Sequence, residues 1–168
     1  MKESITYTEG DITKIINAKY AGNCKYKCAN IYVFAWESDF FVQKFNGYTY
    51  EFEVKISRSD FFNDFKKTDK HEAMKGNLKR RLPNKFYYVV PSGLINTDEV
   101  PDYAGLIYVD GFHMVTVKEA PFFHKEKHKL DDELCMKFYS RWNDLRQENI
   151  KLRQRIKEMQ RNAEPTLF

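Results

Sequence analysis

The sequence predicts an α/β fold in the order helix, three strands, helix, strand, followed by extra strands and one long terminal helix. Three observations carry that expectation. Apolar residues recur at helical spacing near the N-terminus, short β-forming runs alternate with turn signals through the middle, and the stretch from Lys129 to about Arg161 contains neither Gly nor Pro. With 168 residues, 42% of them hydrophobic and 16% aromatic, the chain can bury one core of ordinary domain size.

The first helix is read from "TEGDITKIINAKYAG", where Ile12, Ile15, Ile16 and Ala18 to Tyr20 share helical spacing and Gly22 follows as a stop. "NIYVFAW" is a nearly continuous apolar run that reads as a buried strand. "DFFVQKF" and "YTYEFEVKI" are two more, joined at Asn46-Gly47, a strong hairpin signal. Ser57 can cap a second helix whose third residue is Asp60, and "SDFFNDFKKTDKHEAMKGNLKRR" is expected to run on from it, with Phe61, Phe62 and Phe65 on one side. "KFYYVV" is a strand closed by Pro91 and Gly93, and "GLIYVD" and "HMVTVK" form a hairpin-like pair around Asp110-Gly111. Three units follow: a domain over 1–128, a long helix over 129–162 and a flexible tail over 163–168.

In the terminal helix, Cys135, Trp142, Asn149 and Ile156 fall at a positions and Phe138, Leu145, Leu152 and Met159 at d. A single a-position Asn among Leu residues favours a parallel two-stranded coil, because paired amides satisfy each other only in register. A homodimer seam of Phe138, Trp142, Leu145, Asn149, Leu152 and Ile156 is therefore expected. Across such a seam Arg141 and Arg146 repel while Glu148 and Arg153 attract, so charge does not decide the pairing.

No window approaches the roughly 18 uninterrupted apolar residues of a membrane span, and "KESITYTEGDITK" after Met1 lacks the apolar core of a signal peptide. A cytoplasmic protein with no membrane partner is expected. Three cysteines, an odd count, suit a reducing compartment, and Cys24 and Cys28 have no second pair at zinc-ribbon spacing. The net charge of +4 is unevenly spread. Residues 66 to 85 hold Lys66, Lys67, Lys70, Lys75, Lys79, Arg80, Arg81 and Lys85 against Asp69 and Glu72, an excess that suits a phosphate backbone.

In "YEFEVKI" alternation sends Glu51, Glu53 and Lys55 to one face and Tyr50, Phe52, Val54 and Ile56 to the other. The loop decides whether Asp39 on the preceding strand meets Glu53. A two-residue Asn46-Gly47 turn pairs Asp39 with Val54 and parts the carboxylates; a three-residue loop, Phe45-Asn46-Gly47, with Gly47 left-handed, pairs Asp39 with Glu53. In the second register the two carboxylates repel unless a divalent cation lies between them, and their hard oxygens suit Mg²⁺ or Mn²⁺. The Val54 carbonyl adds a ligand, Glu37 shares the face of Asp39 as a further candidate, and Lys55 projects beside the metal to orient water and offset charge on a phosphate.

"WESDFF", a spacer and "EFEVKISRSDF" resemble the Asp and Glu-x-Lys elements of the PD-(D/E)XK nuclease superfamily, and more narrowly its MmcB-like DNA-repair family and phage-borne relatives. "EVKISRSDFFNDFKKTDKHE", "PNKFYYVVPSGLI", "VPDYAGLIYVD" and "VKEAPFFHKEK" resemble successive blocks of that group, over about residues 8 to 128. The resemblance implies a restriction-endonuclease-like core, a mixed central sheet flanked by helices, with a Mg²⁺- or Mn²⁺-dependent phosphodiesterase centre acting on DNA in repair, recombination or phage DNA processing, in a bacterium or a phage-infected cell. Asp39 becomes the bridging aspartate, Glu53 the second metal ligand and Lys55 the catalytic lysine. Ser38 stands where the superfamily name expects Pro, and only Glu9 or Asp11 could supply a first-helix carboxylate.

For the DNA backbone the candidates are Arg58 at the second helix start, Lys66, Lys67, Lys70, His71, Lys79, Arg80 and Arg81. His124 and His128 lie four apart without an accompanying carboxylate motif and read as surface residues. A reading of a different class is a DNA-binding or scaffolding module that keeps the nuclease fold without turnover and assembles through its tail.

Overall fold

The computed structural model describes residues 6–163, so all but the first residue of the tail expected over 163–168 lies outside the described residues. The chain forms two units, Met1–His128 and Lys129–Phe168.

In the first unit the elements are α1 (Glu9–Lys19), β1 (Tyr26–Tyr32), β2 (Glu37–Gln43), β3 (Thr49–Val54), α2 (Arg58–Asp64), α3 (Thr68–Met74), β4 (Lys85–Pro91), β5 (Gly105–Asp110) and β6 (His113–Lys118). They build an α/β fold on one six-stranded mixed sheet whose strand order equals chain order. β1, β2 and β3 run antiparallel to one another, β3, β4 and β5 are parallel, and β6 returns antiparallel.

α1 starts where sequence rules place it. Thr8 and Asp11 form a reciprocal capping box, and Ile12, Ile15 and Ile16 are buried against Phe40, Val42, Phe52, Val54, Tyr87 and Val89 on one face of the sheet. The Asp11 carboxylate is committed to Thr8 and Lys14. The opposite face carries Phe86, Tyr88, Val90 and Leu106, covered by Phe61 of α2, Met74 of α3 and the segment bearing Ile95 and Val100. Gly105 is required where β5 passes Tyr87: a Cβ there would collide with the Tyr87 ring and lie 2.7 Å from the Ala120 amide nitrogen.

The single basic helix expected after Ser57 is instead two short ones. Ser57 caps α2 through the Asp60 amide as expected, but Lys66 and Lys67 close back on the Asn63 and Asp64 carbonyls, and α3 begins at Thr68. Three successive poor helix formers, Asn63, Asp64 and Phe65, make the break inexpensive. α3 ends at Met74, ahead of Gly76 at φ +86°, so Lys79, Arg80 and Arg81 lie on an exposed non-helical segment.

The second unit is α4 (Asp131–Ala163), 33 residues long. Trp142, Leu145, Leu152, Ile156 and Met159 are exposed along it, and Phe138 is half-buried. Among the described residues no helix is long and apolar enough to cross a membrane.

Candidate active site

The β2–β3 connection settles the register left open by the sequence. Lys44 donates to the Tyr48 carbonyl at 2.8 Å, Gly47 donates to the Lys44 carbonyl at 2.9 Å, and Gly47 stands at φ +89°. The loop is thus Phe45-Asn46-Gly47, with Gln43 opposite Thr49 and Phe40 opposite Phe52. One step further along that register Asp39 faces Glu53. Here β2 leaves the ladder, and Asp39 Oδ2 accepts the Val54 N–H at 2.8 Å.

Glu51, Glu53 and Lys55 share one face of β3 as alternation requires, but that face is not a solvated ladder. They are 1%, 2% and 6% exposed, roofed by α2 and α3. Burial of ions at this depth demands partners. Glu53 Oε1 accepts Lys55 Nζ at 2.9 Å and Lys67 Nζ at 3.3 Å, and its Oε2 accepts Lys70 Nζ at 2.7 Å. Asp64 of α2 is the second hub. It lies 3.0 Å from Lys67 Nζ, 3.5 Å from Lys70 Nζ and 3.7 Å from Lys55 Nζ, and accepts the Tyr88 hydroxyl at 2.8 Å. Asp60 approaches Lys55 at 3.7 Å.

Four carboxylates, Asp39, Glu53, Asp60 and Asp64, therefore surround three ammonium groups. Asp39 is the least compensated: its Oδ1 has no hydrogen bond among the described residues. Burial first, and the neighbouring Glu53 charge second, push its carboxyl up to about 6 against the Val54 N–H and Lys55. Asp64 goes the other way. Burial opposes its ionisation, yet His71, Lys70, Lys55 and Lys67 together hold it far below the usual carboxylate range. Lys55 is likewise penalised by burial but raised overall by Glu53 and Asp64, so it stays an ammonium and supplies positive charge rather than a free base.

Glu51 had no assigned role in the sequence reading. Its carboxyl takes the Ser38 hydroxyl at 2.5 Å and the Trp36 indole N–H at 3.0 Å, and burial raises it to about 7 despite the Ser38 bond and Lys70.

Asp39 opens onto a cleft of about 900 Å³. One wall is the β1–β2 hairpin mouth, with Tyr32, Trp36 and Glu37; the other carries Lys66, Lys67, Lys70 and Arg80. Glu37 thus shares the cleft with Asp39, as strand parity requires. Two expected backbone contacts are corrected. Lys70, 5% exposed, is tied to Glu53, and His71, 4% exposed, bonds the Tyr103 hydroxyl at 2.5 Å and the Asp64 carbonyl at 2.9 Å, so neither presents itself to a strand of DNA. Arg58 is held by Glu99 and by the Leu94 carbonyl at 3.0 Å. Lys66, Lys79, Arg80 and Arg81 remain exposed. His124 and His128 are not on a helix: both are half-buried in an extended segment, His124 beside Asn84 and the Leu82 carbonyl, and burial lowers His128 to about 4.

The donor set fits a hard cation in part. Asp39 Oδ1 is open, Asp60 Oδ2 is a buried acceptor without a hydrogen bond among the described residues, and carboxylates outnumber ammonium groups, whereas Asp64 Oδ1 is occupied by Lys67 Nζ at 3.0 Å. Among the described residues, however, no group of three or more His, Cys, Asp or Glu is arranged around one metal position.

No protein family profile matches the chain, and no curated protein matches it. Among solved structures it is similar to the SPO1766 protein of unknown function from Silicibacter pomeroyi, at 15% identity over 84% of each chain with a TM-score of 0.49.

Proposed function

We propose that this protein is a metal-dependent deoxyribonuclease with a restriction-endonuclease-like core, hydrolysing DNA phosphodiester bonds in repair, recombination or phage DNA processing. The observation that carries the reading is that Asp39 lines a cleft with Lys66, Lys67 and Arg80 and accepts the N–H of Val54, the residue between Glu53 and Lys55, which form a buried ion pair. Asp39 and Glu53, with the Val54 carbonyl and Glu37 as further donors, would hold Mg²⁺ or Mn²⁺, which when bound supplies Lewis-acid activation of water and charge neutralisation at a phosphate. Lys67, exposed and 3.3 Å from Glu53, is the ammonium that gives way, while buried Lys70 keeps Glu53 Oε2 in place. Lys55 keeps its proton and faces the developing negative charge. Asp64 holds Lys55 and Lys70 in position, and Lys66 and Arg80 meet the DNA backbone.

The test is Mn²⁺-dependent cleavage of linear, single-stranded and four-way-junction DNA by wild type, Asp39→Ala and Lys55→Ala. Cleavage by wild type alone is expected; a Lys55→Ala protein cutting at the wild-type rate refutes the assignment.

A second reading, an inactive DNA-binding or scaffolding module, is favoured by one observation: both Glu53 oxygens already accept lysine ammonium groups. Absence of Mn²⁺ binding with DNA binding intact would select it. In either case we propose that α4 pairs with a second copy through Phe138, Trp142, Leu145, Asn149, Leu152 and Ile156. In the single helix the Asn149 amide turns back to the Leu145 carbonyl at 2.9 Å, a bond it can exchange for its copy across the seam.

A further inference from the structure

We propose that the cleft takes a single-stranded stretch of DNA, with one unpaired base stacked on Tyr32 and the adjoining phosphates on Lys66 and Arg80. This rests on the reading of the cleft as a DNA site and names its substrate class. Tyr32 ends β1 at the hairpin mouth and is 58% exposed, a large ring presented on the wall of a cleft whose other wall is cationic. The register sets Tyr32 opposite Glu37, and Trp36 in the adjoining loop is fixed by its bond to the buried Glu51. Lys66 and Arg80 form no ion pair among the described residues, so both are available to phosphate, unlike Lys67 and Lys70.

Depth gives the second argument. Glu53 and Lys55 are almost completely covered and Asp39 lines the cleft, so the scissile group must enter the cleft that Tyr32 and Lys66 also line to reach Asp39. In a duplex the base faces are covered by their stacked neighbours and only edges are offered in the grooves. An unpaired strand offers a bare face for the tyrosine and a flexible backbone that can enter the cleft. Stacking on one aromatic ring is worth roughly 1–3 kcal/mol per base, about 5- to 150-fold in affinity.

The experiment is fluorescence anisotropy in EDTA with a labelled thymidine oligonucleotide and with a blunt duplex of equal length, using wild type, Tyr32→Phe and Tyr32→Ala. Wild type and Tyr32→Phe should bind the single strand more tightly than the duplex. Tyr32→Ala should lose about 5- to 150-fold on the single strand and keep its duplex affinity. A Tyr32→Ala protein binding the single strand as wild type does, or a wild type preferring duplex, overturns the inference. Because metal is absent, the two readings separate. Tyrosine-dependent strand binding without any Mn²⁺-dependent cleavage supports this inference and refutes the nuclease; cleavage with tyrosine-independent binding refutes this inference and leaves the nuclease standing.

Discussion

Replacing Asp39 by Asn should stabilise the metal-free protein while removing its activity. Burial and the Glu53 charge displace the Asp39 carboxyl from 3.8 to about 6. At about 1.4 kcal/mol per pK unit this is about 3 kcal/mol of unfavourable ionisation in the native state, reduced to about 2 kcal/mol by the carboxyl's access to solvent in the cleft. Asn keeps the acceptor for the Val54 N–H and removes the charge. The sign follows from the raised native value. Below about pH 3 Asp39 is neutral in both folded and unfolded chains and the substitution has no electrostatic effect. Between about 4 and 6 the wild type loses stability as pH rises, and above 6 the full penalty is present. Urea unfolding in EDTA should therefore place Asp39→Asn about 2 kcal/mol above wild type at pH 8, and the gap should shrink to about a third of that at pH 4.5. A variant no more stable than wild type at pH 8, or a gap equal at both pH values, refutes the reasoning.

Asp64→Ala leaves Lys55 and Lys70 buried with one counter-charge fewer, and should cost about 3–5 kcal/mol, lowering Tm by roughly 6–20 °C in a thermal melt; a change under about 1 kcal/mol would mean that the two lysines find other acceptors. Gly105→Ala should destabilise by about 2 kcal/mol or more, because the new methyl meets the Tyr87 ring and the Ala120 backbone; unaltered urea unfolding would show that the β5 passage can yield. Wild type should sediment as a dimer and Asn149→Leu should add higher-order species; a wild type monomeric at every concentration removes the α4 pairing.

The alternation in "YEFEVKI" and the Asn46-Gly47 signal were enough to place Glu53 and Lys55 on one face and to reduce the hairpin to two registers. They could not choose between them, because both loops place Gly47 at positive φ and the choice rests on Asn46, which does not take the positive φ that a two-residue type I′ turn requires. Strand parity also could not say that the polar face is covered, since α2 and α3 arrive from later in the chain. Asp64 was missed for that reason, although a signal existed: it stands three residues after Phe61 on the same helical face, with Lys67 three residues further on, a carboxylate set in an apolar stripe with a cation at return distance. Lys70 and His71 looked like backbone-facing cations because charge counts carry no depth. The break after Asp64 turns both inward.

Strand order equal to chain order has a bearing on synthesis. Each strand as it leaves the ribosome finds its partner already present as the current edge of the sheet, and none must be threaded between two that are already paired. Asp39, Glu53, Lys55, Asp64, Lys67 and Lys70 all precede β4 in the chain, and β4 contributes Tyr88 beneath Asp64. A nascent chain ending just beyond β4 already contains every charged member of the centre, so the four carboxylates and three ammonium groups can neutralise one another before β5, β6 and α4 have been made.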